Sequence, residues 1–353
     1  DPPLLISRDV AAQFLASLWV ALLLVSADAH GNPYLAKPGE TPLHLRIATC
    51  AVSGGFVHLY TALENGLFNK YGLNFEHIYI QASAPSLAAL AADEIQFLYC
   101  AADATIPTLA AGIGGKLVAA PLVKLPYVMI SRKEIRRPEE LRGKTIGIAR
   151  AGNISERLSR AVVRKFNIPE SEVTIRPVGG SQAERFQALR LNLVQAIVVT
   201  PPLDARAKNE GFNVLYRLID LGLPFIYSSV HASAKMLRER PEVVQRVVAA
   251  FAETVYFVEK NPDKAKAAVA KIMRTNDAEA LQVSYDVYAR EIVDRRMVIP
   301  EKAVLDTIEQ TRQAGGAVRR KAEELFDNSF TAHLEKSGFL KELWGNELTA
   351  PSR

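Results

Sequence analysis

The chain has 353 residues, 49% hydrophobic and 23% charged, an ordinary globular balance with length enough for two cores. Its formal charge of +5 comes from 43 Lys and Arg against 38 Asp and Glu, mostly on predicted helix faces with no interleaved aromatics, which argues against a nucleic-acid partner. The 6 His show no metal spacing such as H-E-x-x-H, and no Gly-x-Ser-x-Gly elbow or complete phosphate loop is present, so no catalytic residue, metal or cofactor is expected.

Phe14–Val25 (FLASLWVALLLV) is an apolar run of signal-peptide length, too short to span a bilayer, which takes about 20 residues. Ala27-Asp28-Ala29 follows with the small-x-small cleavage pattern, so residues 1–29 read as a signal peptide. Its loss removes one Arg and three Asp and moves the charge from +5 to +7. A mildly basic product favours anionic ligands at long range. Residues 30–42 carry Gly31, Pro33, Pro38, Gly39 and Pro42 and read as a linker.

A strand is predicted over Leu45–Val52, then the loop Ser53-Gly54-Gly55, a helix, and a second strand over Phe75–Gln81. Ala82 and Ser83 lead to a helix over Ser86–Ala92, and Glu94–Cys100 (EIQFLYC) is a third strand. Ala101-Ala102-Asp103 opens a short apolar helix, followed by strands at Leu117–Leu122 and Tyr127–Ser131. The plan then restarts: strand Thr145–Ala149, loop Arg150-Ala151-Gly152-Asn153, helix Ser155–Phe166, strand Val173–Pro177. Next come Gly179-Gly180-Ser181, helix Gln182–Leu191, strand Gln195–Val199, Thr200-Pro201-Pro202, a strand within Gly211–Leu218 and a return crossing at Phe225–Val230. From Ala232 to Trp344 the chain reads as helical. Cys50 and Cys100 end two predicted strands. Two buried thiols are expected, because directly paired parallel strands give poor disulfide geometry, although an oxidising compartment permits a bridge.

The segment ENGLFNKYGLNF (Glu64–Phe75) and IRRPEELRGKTIGI (Ile135–Ile148) resemble the "GlF…yGL" and "eDLkGKkvGv" stretches of substrate-binding proteins in the nitrate/sulfonate/taurine branch of ABC transporters. The resemblance covers roughly Leu43–Gly345 and extends to the thiamine-pyrimidine synthase and binding-protein superfamily. It implies an α/β fold of the type II periplasmic binding protein class: two doubly wound lobes with a C-terminal helical extension. Lobe 1 is then residues 43–130 plus 230–345, lobe 2 is residues 131–229, and residues 346–353 are a tail. The ligand site implied lies between the lobes, at the loops after the strands.

Ser53, Gly54 and Gly55 supply free backbone N–H groups at a helix start, and Phe56 offers a ring for a planar ligand. Gln81 and Ser83 place polar groups at a strand end. Cys100, Ala101 and Asp103 leave room after the third strand, with Asp103 also suited to capping. Gly152 and Asn153 occupy the matching loop of the second half, with capping the alternative for Asn153. Thr200 follows the strand QAIVV, and Tyr227 and Ser228 lie on the return crossing. Gly54→Val is expected to weaken binding by blocking close backbone approach.

The function implied is capture of a small polar or anionic molecule outside the cytoplasm, with delivery to an ABC permease and no turnover. Sulfonate, nitrate, aromatic carboxylate or pyrimidine are the ligand classes, and the protein is expected to be a periplasmic monomer. Two alternatives are an enzyme of thiamine-pyrimidine synthesis type and a ligand-sensing module docking a membrane receptor. Those synthases carry a Cys-rich motif, and this chain has two separated Cys.

Overall fold

A computed structural model of the chain describes residues 32–349; the run read as a signal peptide lies outside the described residues. Asn32–Leu35 is a turn closed by the Leu35 N–H on the Asn32 carbonyl and belongs to a unit separate from Ala36–Arg353.

Alternating apolar strands and short helices build the first layer: β1 (Leu43–Thr49), α1 (Val57–Glu64), β2 (Leu73–Tyr79), α2 (Ser83–Ala91), β3 (Phe97–Cys100), α3 (Ala102–Ala110) and β4 (Lys116–Leu122). The second follows with β5 (Val128–Ser131), β6 (Thr145–Ile148), α4 (Ile154–Lys165), β7 (Thr174–Pro177), α5 (Gln182–Arg190), β8 (Ala196–Val199), α6 (Leu203–Asn209) and β9 (Asn213–Arg217). Then β10 (Ser228–Ala232) leads into α7 (Ala234–Glu239), α8 (Pro241–Lys260), α9 (Pro262–Met273) and α10 (Ala278–Tyr285). A π-helical turn, Asp286–Glu291, continues α10; α11 (Glu301–Gln313), α12 (Ser329–Lys336) and α13 (Phe339–Trp344) complete the chain.

The strands form two five-stranded sheets of one plan, β2-β1-β3-β10-β4 and β7-β6-β8-β5-β9. In each, three strands run parallel and the fourth is antiparallel to both neighbours. That antiparallel strand always arrives from the other sheet: β5 follows β4, and β10 follows β9. The chain therefore passes twice between the sheets, through Val123–Tyr127 and through Gly222–Tyr227. Parallel strands covered on both faces must be apolar throughout, and β3 (FLYC) and β8 (AIVV) are wholly buried. The edge strand β7 is mostly exposed and ends on Pro177, which blunts further pairing.

The C-terminal helices bury their apolar stripes beside the first sheet. Phe251 of α8 stacks on Tyr99 of β3 at 5.4 Å and meets Phe68 edge-on. The region Ala232–Trp344, read as helical, is interrupted at 292–300 and 314–328. There Val293 bridges Leu122, Phe326 bridges Leu117, and the Asp327 N–H donates to the Leu117 carbonyl at 2.8 Å. These extended pieces satisfy the free edge of β4, a need that helical periodicity does not reveal.

The two cysteines form a disulfide, which corrects the expectation of free thiols. β1 and β3 are parallel neighbours in register Thr49↔Tyr99, so Cys50 and Cys100 follow a paired position. Cys50 has already left its strand, so ladder geometry no longer fixes its Cβ direction. The Cα–Cα separation is 5.5 Å, inside the range a disulfide needs.

Candidate functional site

Loops from the C-terminal ends of both sheets meet at Tyr227, the last residue before β10. Ser53 caps the short 3-10 turn Gly54–Phe56, its Oγ accepting from the Gly55 N–H at 3.1 Å. The same Oγ lies 3.5 Å from the Tyr227 hydroxyl. On the other side the Tyr288 hydroxyl sits 3.4 Å from that of Tyr227 and donates to the Pro201 carbonyl at 3.1 Å. The donors then have one consistent order: Ser53 to Tyr227, Tyr227 to Tyr288, Tyr288 to Pro201. Two spacings near 3.5 Å are at the outer limit of a hydrogen bond, so these hydroxyls keep capacity for a polar guest. The rings of Tyr227 and Tyr288 stack at 5.4 Å, and Tyr127 meets Tyr227 edge-on at 6.3 Å.

Burial raises the pKa of all three phenols, well above the usual range for Tyr127 and Tyr288, so they remain hydroxyl donors at neutral pH. Three charged groups surround them. Burial raises the Asp103 carboxyl at the start of α3, while the charge of Arg157 on α4 pulls it down. Arg157 and Arg185 are both lowered by burial, with Tyr127 a shared electrostatic neighbour. Arg185 is 6% exposed. One guanidinium nitrogen donates to the Gly180 carbonyl at 3.1 Å, and its Nε has no hydrogen-bond partner among the described residues. Two carboxylates act on these two guanidiniums, Asp103 on Arg157 and Glu184 on Arg185.

The structure brings Ser53, Gly55, Thr200, Tyr227 and Asp103 into this group. Thr200 is held from two sides by Gln182, whose amide accepts from the Thr200 N–H at 2.7 Å and donates to its Oγ1 at 2.8 Å. It lies against both the Tyr227 and Tyr288 hydroxyls. Ala101 stands beside the group as N-cap of α3. Gln81 is exposed and Ser83 half-buried, flanking Ala82, whose φ of 75° and ψ of 155° is a conformation that side chains rarely adopt. Such strain at a strand-end loop is a mark of functional sites.

Other candidates lie elsewhere. Phe56 is 2% exposed and packs edge-on against Tyr60 and Tyr99, so its ring belongs to the core. Ser228 is fully buried with its Oγ 3.0 Å from the Tyr99 hydroxyl, and the Cys100 sulfur is committed to Cys50. Gly54 also differs from expectation. A Cβ there would meet Ser284, Tyr288 and Met273 at 3.4–3.6 Å, an ordinary contact with the C-terminal helices. The close approach is at Gly55, where a Cβ would come within 2.2 Å of Tyr227 Cε1. Gly55→Ala must displace that ring; we expect a loss of about 1–3 kcal/mol in denaturant unfolding, typical of overpacking.

Gly152 is exposed, and its N–H donates to Glu156 at 2.7 Å. Asn153 caps α4, its Oδ1 accepting from the Ser155 N–H and Oγ, both at 2.9 Å. Asn153→Ala should therefore cost about 1 kcal/mol of stability by denaturant titration. Tyr127, Arg157, Gln182, Arg185 and Tyr288 carry no motif of their own. Only their adjacency in space marks them. Among the described residues no His, Cys, Asp and Glu group could hold a metal ion, and no helix is long and apolar enough to cross a membrane.

The fold is that of periplasmic binding proteins. The aliphatic sulphonate binding protein SsuA from Escherichia coli superposes with a TM-score of 0.65 over 82% of this chain and 93% of its own, at 18% identity. The alkanesulfonate-binding protein SsuA from Xanthomonas axonopodis pv. citri, bound to MOPS, gives 0.59 over 81% and 98%, at 16% identity. A Brachyspira hyodysenteriae protein described as an ABC transporter periplasmic binding protein is 25% identical over 221 residues. That match takes in 58% of this chain and 62% of the relative's length. The NMT1/THI5-like family matches residues 54–265, more than half of the 353, and the chain belongs to that family.

Proposed function

We propose that this chain is an extracytoplasmic solute-binding protein. It captures a small polar or anionic molecule between two lobes and passes it unaltered to an ABC permease in the membrane. Residues 43–130 with 230–345 form one lobe and residues 131–229 the other, and the chain acts as a periplasmic monomer. Tyr227 carries this reading: a hydroxyl on the return crossing stands between Ser53, after the first strand of one sheet, and Tyr288, held on the Pro201 carbonyl after a strand of the other. A solute there would be touched from both sides, and hinge closure would complete its contacts. The unpartnered Nε of Arg185 favours an anionic head group. The curated relative's description as a binding protein supports the same reading. Both cysteines are joined in a disulfide, so neither supplies a thiolate.

Thermal-shift screening of sulfonates, nitrate, aromatic carboxylates and pyrimidines tests it. At least one should raise Tm with one-to-one stoichiometry by calorimetry, and Tyr227→Ala should weaken that solute tenfold or more, about 1.4 kcal/mol. No response from any class would overturn the reading.

A further inference from the structure

A cavity lies where α4 faces α11. It measures 360 Å³, within the range of small-molecule sites, roughly 300–1,000 Å³. One wall comes from the second sheet's layer through Arg157 and Ala161, the other from α11 through Gln310. Leu125 of one crossing and Pro224 and Phe225 of the other supply apolar surface between them. The loops of Ser53, Gln81 and Thr200 do not line it.

Its charges are almost all satisfied internally. Arg160 is held by Glu156 and Glu170, Arg164 by Glu170, and Asp306 by Lys302. Arg157 is the exception. Its guanidinium makes no hydrogen bond or ion pair among the described residues, and Asp103 and Tyr127 act on it only as nearby electrostatic neighbours. The cavity thus pairs one available guanidinium with an apolar floor and the side-chain amide of Gln310.

We infer that this cavity is a second binding site, for an amphipathic monoanion whose carboxylate or sulfonate docks on Arg157 and whose short apolar body lies over Leu125, Pro224 and Phe225. The cavity borders the Tyr227 group at Arg157, whose charge also acts on Asp103 and Tyr127. Its occupant touches α4 and α11 together and so touches elements of both layers.

Calorimetric titration of the full chain with octanoate, and with octan-1-ol as its uncharged counterpart, tests the assignment. Octanoate should bind one-to-one and octan-1-ol at least tenfold more weakly. Ala161→Trp should fill the cavity and abolish octanoate binding. Gln310→Trp, at an exposed position on the opposite wall, should do the same if the α4 variant fails to fold. Arg157→Gln should weaken octanoate tenfold or more, while Tyr227→Ala should leave it bound. The inference is overturned if octanoate does not bind, if it binds a folded Trp variant as well as the parent, if octan-1-ol matches it, or if Tyr227→Ala removes it.

Discussion

Replacing both Cys50 and Cys100 with alanine is expected to cost about 4 kcal/mol of folding stability. The bridge closes a loop of sequence separation 50, and the loss of chain entropy in the unfolded state gives about that magnitude. Cys100 is fully buried and Cys50 is 9% exposed, so the bridge lies inside the first sheet's layer. It joins the residues that follow the register pair Thr49↔Tyr99, immediately before the Ser53 loop and the Ala101–Asp103 loop. The bridge therefore holds two of the loops beside the Tyr227 group. Urea unfolding of the double variant, and of the parent chain under reductant, should show the same loss. A difference below about 1 kcal/mol would mean that the sheet alone fixes those loops.

Acidification from pH 7.5 to 5.0 should destabilise the protein through two buried histidines. His58 and His231 are both fully buried. His58 has no hydrogen-bond partner on either ring nitrogen among the described residues, and burial pushes its pKa down to about 3. His231 is pushed down to about 4 by burial, with its Nδ1–H donating to the Leu98 carbonyl at 3.2 Å and Nε2 accepting from Thr105 at 2.9 Å. The native state keeps both rings neutral, while the unfolded chain takes up protons below 6.5. The stabilisation is therefore complete above 6.5 and is lost as pH falls towards each native value. At pH 5 the loss is about 2 kcal/mol per histidine. Asp103, Asp204 and Asp294, whose carboxyls burial raises, act with the opposite sign and offset part of it. His58→Leu isolates the effect: its urea-unfolding free energy should fall by about 2 kcal/mol less than the parent's between the two pH values. Equal pH sensitivity in both proteins would contradict this account of His58.

The alternation of strands and helices was legible because each sheet is built from short apolar runs punctuated by glycine and polar loops. FLYC and AIVV read directly as buried strands. Strand adjacency was not legible, and the disulfide depends on it: nothing local says that β1 lies beside β3. Phe56 and Ser228 show a second limit. All five residues of β10 are buried, so no polar alternation tells which side chains face the cleft. Helix α6 (LDARAKN) follows two prolines and is mostly polar, so it lacks an apolar stripe long enough to read. Tyr288 stands 61 residues from Tyr227 in a π-helical turn, and only the fold brings them together. The loops beside Tyr227 were thus readable one by one, while Tyr288, Arg157 and Arg185 next to them were not.

A crystal structure of the complex with the solute that gives the largest thermal shift would test the cleft most directly. One unmodified solute should lie against Tyr227, with polar atoms on the Ser53 loop of one sheet and on Thr200 or Arg185 of the other. A solute lodged away from Tyr227, or recovered chemically changed, would contradict capture between the two sheets.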